Sequence, residues 1–431
     1  MSDFCVGSEL PSGWSWRQLG EITEIDQQSL SGRTDSKFRF CYIDISSVST
    51  GYISEQLETY QFSEAPSRAR RVLRDFDILM STVRPNLKSF AMFKGSNFPT
   101  VASTGFAVLS PGNEYDQQYI YACLLSEVVS QQIQRVAVGS NYPAINSSDV
   151  KKLWIPFPTL PIREKIGGIL KTIDNQIDAT QALIDKYTAI KQGMMADLFS
   201  RGIDPETKAL RPAFEEAPEL YHETPLGMLP KGWGVKTLGE ISEKITSGSR
   251  DWAKFYSSEG DLFVRISNLT REHVNFRWDS VKYVNIGGGS EGERTQLQPG
   301  DILVSITADL GIVGVVPENM GRAYINQHTA LIRLSTDGEN ARFIGNYLSS
   351  RCGQDQFEKN NDSGAKAGIN LPTIASLRCP IPEGKEQLLI ASKIDALDEV
   401  IADLKREKSK SLSLKQGLMQ DLLTGKVPVP A

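Results

Sequence analysis

The chain repeats itself, and the repeat restricts it to folds that can be built twice. Leu10-Pro-Ser-Gly-Trp14 returns 219 residues later as Leu229-Pro-Lys-Gly-Trp233, and Leu19-Gly-Glu-Ile22 returns at the same offset as Leu238-Gly-Glu-Ile241. Asp77-Ile-Leu-Met-Ser81 matches Asp301-Ile-Leu-Val-Ser305 at an offset of 224, and Ser103–Leu109 resembles His328–Leu334 at 225. Ala144-Ile-Asn146 matches Gly368-Ile-Asn370, Pro156-Phe-Pro158 matches Pro380-Ile-Pro382, and Lys191-Gln-Gly-Met-Met195 matches Lys415-Gln-Gly-Leu-Met419. Agreement in this order over more than 180 residues is the mark of two copies of one unit.

Each unit has two parts. The first mixes short β-rich runs (Phe40–Ile45, Thr100–Leu109, Asp261–Ile266) with Gly, Pro, Ser and Asn turns and a few helical stretches, such as Gln118–Gln134 and Ala341–Cys352. It reads as an α+β globular domain with a curved, mostly antiparallel sheet. The second part is a long helix. Ile166, Leu170, Ile173, Ile177, Ile184, Tyr187, Met194 and Leu198 alternate at four and three residues, a heptad seam with gaps at Thr180 and Lys191. The second copy carries Ile390, Ile394, Leu397, Ile401, Leu404, Leu418 and Leu422, with Lys408, Ser411 and Lys415 in the middle. Helices of about forty residues are about 60 Å long, and a narrow seam must be buried. Pairing of the two as an antiparallel coiled coil about a pseudo-twofold axis is the expected solution, against helices packed only on their own domains. The expected boundaries are 1–157 for the first domain, 158–200 for its helix, 201–228 for a Pro-rich acidic linker, 229–382 for the second domain, 383–424 for its helix and 425–431 for a tail.

A length of 431 residues fits two or more domains. With 40% hydrophobic and 23% charged residues the chain is not wholly disordered, and no apolar run is long enough to span a membrane. The start has no secretion signal, and five scattered cysteines form no Cys-x-x-Cys pair, so reduced thiols and a cytoplasmic location are expected. The net charge of −5 alone disfavours nucleic acid. Yet Pro66–Lys94 holds seven basic residues against two acids, which fits one nucleic-acid face on a chain with other faces for protein partners.

Catalytic motifs are missing from the sequence. It has no Gly-x4-Gly-Lys-Ser/Thr loop, no methyltransferase Asn/Asp-Pro-Pro-aromatic loop and no carboxylate cluster fit for Mg²⁺. Glu383-Gly-Lys385 has no companion acids, and His222, His273 and His328 are too dispersed for a zinc site or a triad. Two similar domains on a rod would instead read two half-sites of a duplex at fixed spacing, and the divergence between copies predicts different half-sites.

The paired Leu-Pro-x-Gly-Trp openings, the Ile-Leu-x-Ser turns and the helices closing in Lys-Gln-Gly-x-Met-x-Asp-Leu resemble the specificity subunits of type I restriction-modification systems, over essentially the whole chain. One departure is Ile162-Arg163, where the family often has Glu-Gln; Glu386-Gln387 is present in the second copy. The resemblance implies a non-catalytic subunit with two target recognition domains, the helices acting as spacer and docking surface. It also implies two methyltransferase (modification) subunits carrying S-adenosylmethionine, and two motor-nuclease (restriction) subunits using ATP and Mg²⁺. No cofactor is expected in this chain.

Candidate DNA contacts follow from side-chain chemistry. In the first domain they are Ser81, Thr82, Arg84, Asn86 and Lys88 on one turn, and Asn141 and Tyr142 before the shared Ala-Ile-Asn motif. Arg68, Arg70 and Arg71 are candidate phosphate contacts. In the second domain they are Ser249, Arg250, Trp252 and Lys254 on one loop, with Arg265, Asn268, Thr307 and Lys366. The competing expectation is a two-domain coiled-coil scaffold for protein assembly that binds no DNA. It accounts for the repeat but not for loops rich in Arg, Asn and Ser.

Overall fold

The computed structural model describes residues 10–139, 143–286, 290–335, 340–360 and 368–429. It divides into two compact units, Met1–Gln181 with Arg406–Ala431, and Ala182–Lys405. Each unit holds one globular domain and a half of each long helix, so the division runs through the helices.

The first domain carries two four-stranded sheets rather than one curved sheet. One is ordered Glu58–Gln61, Arg39–Ile43, Thr100–Ser103, Ala69–Val72, with Thr100–Ser103 parallel to Arg39–Ile43. The other, all antiparallel, is ordered Glu24–Ile25, Phe106–Ser110, Ile78–Ser81, Phe90–Met92. The second domain has the same plan. Asp261–Val264 runs parallel to Ala323–Ile325 in one sheet, and Thr329–Leu334 sits between Ser242–Ser247 and Ile302–Ser305 in the other. The Ile-Leu-x-Ser strands are buried along their whole length in both copies, which is why they read as unbroken apolar runs. Each opens on a buried aspartate that accepts a backbone amide three residues upstream, Arg74 to Asp77 at 2.8 Å and Gln298 to Asp301 at 2.7 Å.

The helical stretches differ from the sequence expectation in being broken. Ser126 divides Glu114–Leu125 from Glu127–Val136, and Ser350 divides Ala341–Ser349 from Arg351–Lys359. Each serine accepts from the amide three residues on (Val129, Gly353), an N-cap that restarts the helix.

The long helices are Leu160–Ser200 and Gly384–Leu423. Each stops at a glycine in the left-handed region, Gly202 (φ 68) and Gly425 (φ 70), where a Cβ would come within 2.5 Å of Trp233 and Pro11 respectively. In the first unit Ile166 and Leu170, from the start of one helix, share a core with Leu422 and Leu423, from the end of the other. In the second unit Met195, Leu198 and Phe199 share a core with Ile390, Ala391 and Ile394. The helices are therefore antiparallel in each unit, as the seam predicts.

Of the polar gaps in the seam, Thr180, Lys191 and Ser411 are buried, and Lys408 and Lys415 are half-buried. Lys191 Nζ lies 2.5 Å from Asp398 Oδ1 and donates to the Glu272 carbonyl at 2.7 Å. At the equivalent positions of the repeat, Lys415 Nζ lies 2.5 Å from Asp174 Oδ1. Both pairs, and the hydrogen bond from Lys408 to Gln181, join residues whose numbers sum to 589, so one register holds in both units. Burial pushes the Asp398 carboxyl above its usual range even with Lys191 beside it. No helix among the described residues is long and apolar enough to cross a membrane.

Candidate nucleic-acid interface

A turn with a shared bridge and a left-handed residue follows the Ile-Leu-x-Ser strand in both domains. In the first, the Ser81 hydroxyl donates to the Val83 carbonyl at 2.7 Å and the Thr82 hydroxyl to the Gly105 carbonyl at 2.8 Å. Val83 then bridges to Ala144, the Arg84 amide donates to the Pro143 carbonyl at 2.8 Å, and Arg84 takes the left-handed conformation (φ 48). A short 3₁₀ turn, Pro85–Leu87, leads to Lys88, also left-handed (φ 52). In the second domain the Ser305 hydroxyl donates to the Asp309 carbonyl, Thr307 bridges to Gly368, and Ala308 is left-handed (φ 61) at the place of Arg84. Left-handed residues other than glycine cost free energy and persist where their surroundings fix them. The bridge and the left-handed residue thus recur at matching positions, while the serine bonds and the residues exposed beyond them differ.

Several candidate contacts are engaged in interactions within the protein. Ser81 and Thr82 are buried and spend their hydroxyls on the turn. The Lys88 ammonium donates to the Leu125 carbonyl at 2.8 Å, at the C-terminal end of helix Glu114–Leu125, where the helix dipole favours a cation. Arg71 is paired with Asp26 at 2.9 Å, so a phosphate would have to displace a carboxylate already in place. Asn268 is 2% exposed; it caps the Arg265 amide and donates to the Arg277 and Ser280 carbonyls. One Nη of Arg265 donates to the Ser280 carbonyl and hydroxyl. Trp252 is a core residue between Phe255, Phe263 and Tyr324, with ring centroids 4.9 to 5.8 Å apart.

Others stay at the surface. Arg84 and Asn86 are exposed on the first turn beside Leu87, and Thr307 is half-buried on the second with its hydroxyl 2.7 Å from His328 Nδ1. Arg68 is exposed, and the Arg70 guanidinium lies over the Phe62 ring at 5.1 Å. Arg250 and Lys254 are exposed, with the Lys254 ammonium 4.7 Å from the Phe255 ring centre, and Ser249 is half-buried. Asn141, Tyr142 and Lys366 lie outside the described residues. Sequence reasoning missed Arg294, whose guanidinium donates to the Thr246 hydroxyl, the Ser247 carbonyl at 2.7 Å and the Ser249 hydroxyl at 3.1 Å. Its partners are more than forty residues away, and no local spacing announces them.

The electrostatics of the buried groups are structural. Desolvation pushes the Asp77 carboxyl up, against the lowering by Ser110 and the Arg74 amide. Burial pushes the Cys123 thiol up to about 12 and the Cys379 thiol higher, which makes neither a nucleophile. Among the described residues no three His, Cys, Asp or Glu side chains gather as a metal site.

Comparison with known proteins adds the family. The family model described as the type I restriction modification DNA specificity domain matches twice, at residues 11–188 and 230–414. The chain named as the MjaX specificity subunit of a type I restriction enzyme in Methanocaldococcus jannaschii is 25% identical over 428 residues, covering 98% of this chain and 95% of that one. The HindI specificity subunit of Haemophilus influenzae is 21% identical, over 96% of this chain and 100% of that one. The solved S subunit of a type I system from M. genitalium has the same fold, with a TM-score of 0.57 at 14% identity, covering 99% of this chain and 98% of that one. Two matches in tandem take in most of the sequence, and this chain belongs to the family of type I restriction-modification DNA specificity proteins.

Proposed function

We propose that this chain is the DNA-reading subunit of a type I restriction-modification complex, and that it reads a bipartite site with two different half-sites. The observation that carries the reading is the left-handed turn position that recurs after the same strand, with Arg84 exposed there in one copy, near Asn86, and Ala308 exposed there in the other, beside Thr307. Arg and Asn can each bond two acceptor or donor groups on one base edge, whereas Thr and Ala offer a hydroxyl and a methyl. Equivalent supports with unlike tips suit two sites of unlike sequence. Arg68 and Arg70 would contact phosphates, which fixes the domain on the duplex without selecting sequence. The antiparallel helices would set the spacing between half-sites and offer the surface on which two modification subunits dock, with two restriction subunits beyond them. The chain itself is proposed to be non-catalytic. S-adenosylmethionine, ATP and Mg²⁺ would belong to the partner subunits.

The test is selection from a random duplex library at about 0.1 M salt, with the modification subunit present. A motif of two unlike half-sites separated by a constant unspecified gap is expected. Selection of no sequence would refute DNA reading and leave a protein-assembly scaffold.

A further inference from the structure

In the second domain the strand Ser242–Ser247 runs into a loop that is held from two sides. On one side the loop backbone touches the Asn326 segment. Ser249 bridges to Asn326, and a Cβ on Gly248 would fall 2.1 Å from the Asn326 carbonyl oxygen, so the backbones are in contact and only glycine fits. On the other side the Arg294 fork holds three residues of the loop's entry, through the Thr246 hydroxyl, the Ser247 carbonyl and the Ser249 hydroxyl. Beyond the loop, Asp251 is left-handed (φ 62) and Trp252 is sunk into an aromatic cluster. Arg250 lies between these anchors. It is exposed, and it makes no hydrogen bond or ion pair among the described residues.

A surface arginine with its own backbone fixed on both sides is an unusual expense of structure. An exposed arginine side chain loses conformational freedom on binding. Fixing the backbone lowers that cost for a group that must meet a planar, bidentate acceptor. We infer that Arg250 is a base-reading residue of the second domain, and that Arg294 is its positioning residue, acting through the 246–249 backbone rather than by contact with DNA. The inference rests on the proposed reading of DNA and assigns part of one half-site to one arginine. A guanine is the matching base, because its O6 and N7 accept both donors of the fork.

The test uses the full chain with the modification subunit and the selected bipartite site. Arg250→Ala is expected to relax preference about tenfold to a hundredfold at one G·C pair of one half-site, leaving the other half-site and the gap unchanged. Arg294→Ala is expected to relax the same position, and Arg294→Lys not to restore it, because lysine lacks the fork. The double variant should be no worse than Arg250→Ala alone, since Arg294 acts only through Arg250. Unchanged preference in Arg250→Ala overturns the inference. So does a uniform loss of affinity in Arg294→Ala with a shallower salt dependence, which would make Arg294 a phosphate contact. In both cases the wild-type motif still stands, so failure here is distinct from failure to read DNA at all.

Discussion

Glu386 and Ile162 occupy the same place in the two copies and hold the chain in different ways. The Glu386 carboxylate is buried and accepts from both Nη atoms of Arg211, from Trp233 Nε1 at 3.0 Å and from the Ile203 amide at 2.8 Å. It ties the linker to the head of the second long helix. In the first copy Ile162 packs on an apolar core beside Trp14, Leu418 and Val429. The sequence shows the departure but not its consequence, because Arg211 is 175 residues from Glu386 and no local spacing announces their pairing. Glu386→Ala leaves a partly buried guanidinium without its carboxylate, and a loss of about 3–5 kcal/mol is expected in the second unit. Hydrogen exchange of peptides from both units checks this; protection lost equally in both, or in neither, would contradict it. The same limit applies to the candidate contacts that are buried in the structure. Ser81, Thr82 and Asn268 were legible as hydrogen-bonding residues, but a hydroxyl or amide that can meet a base can equally close a turn or cap a backbone amide. Which one it does depends on burial, set by strands far away in sequence.

At the scale of elements, the long helices were legible because a heptad pattern needs no tertiary information. The breaks at Ser126 and Ser350 were not, since a serine within an amphipathic run becomes a cap only once both flanking helices have docked. The gaps in the seam have a further meaning. If the helices shifted by one heptad, Lys191 would face Lys405 or Ala391 in place of Asp398, and a buried ammonium would lose its partner. Burial raises the Asp398 carboxyl even with Lys191 beside it, and we propose that the pair supplies uniqueness of register more than stability. Lys191→Met is expected to cost about 3 kcal/mol by stranding the Asp398 carboxylate. The combined change Lys191→Met with Asp398→Leu should recover most or all of that loss. Denaturant melts followed by helical signal give both numbers. A double variant as unstable as the single one would show that the pair itself is the source of stability.

At the scale of the whole molecule, the proposed function makes the helices a ruler, and a ruler can be shortened. The cut must fall between the two Lys–Asp pairs on both helices, or the register is lost along with the length. Residues 181–184 and 405–408 meet that condition, because they face each other in the same register as both pairs. Removing them takes about 6 Å from the helix pair, close to two steps of a duplex at 3.4 Å each. Four residues are about one helical turn, so the halves keep their facing sides to within about 40°. The selected motif should therefore keep both half-sites and lose one or two base pairs from its gap. Removing seven residues from each helix, one whole heptad, should shorten the gap by about three. Methylome sequencing of cells carrying each variant with the modification subunit reads the gap directly. Because the turns proposed to read bases lie in the globular domains, half-sites that change with the deletion would place the recognition elsewhere. A gap that stays constant in an intact complex would show that something other than the helices sets the distance.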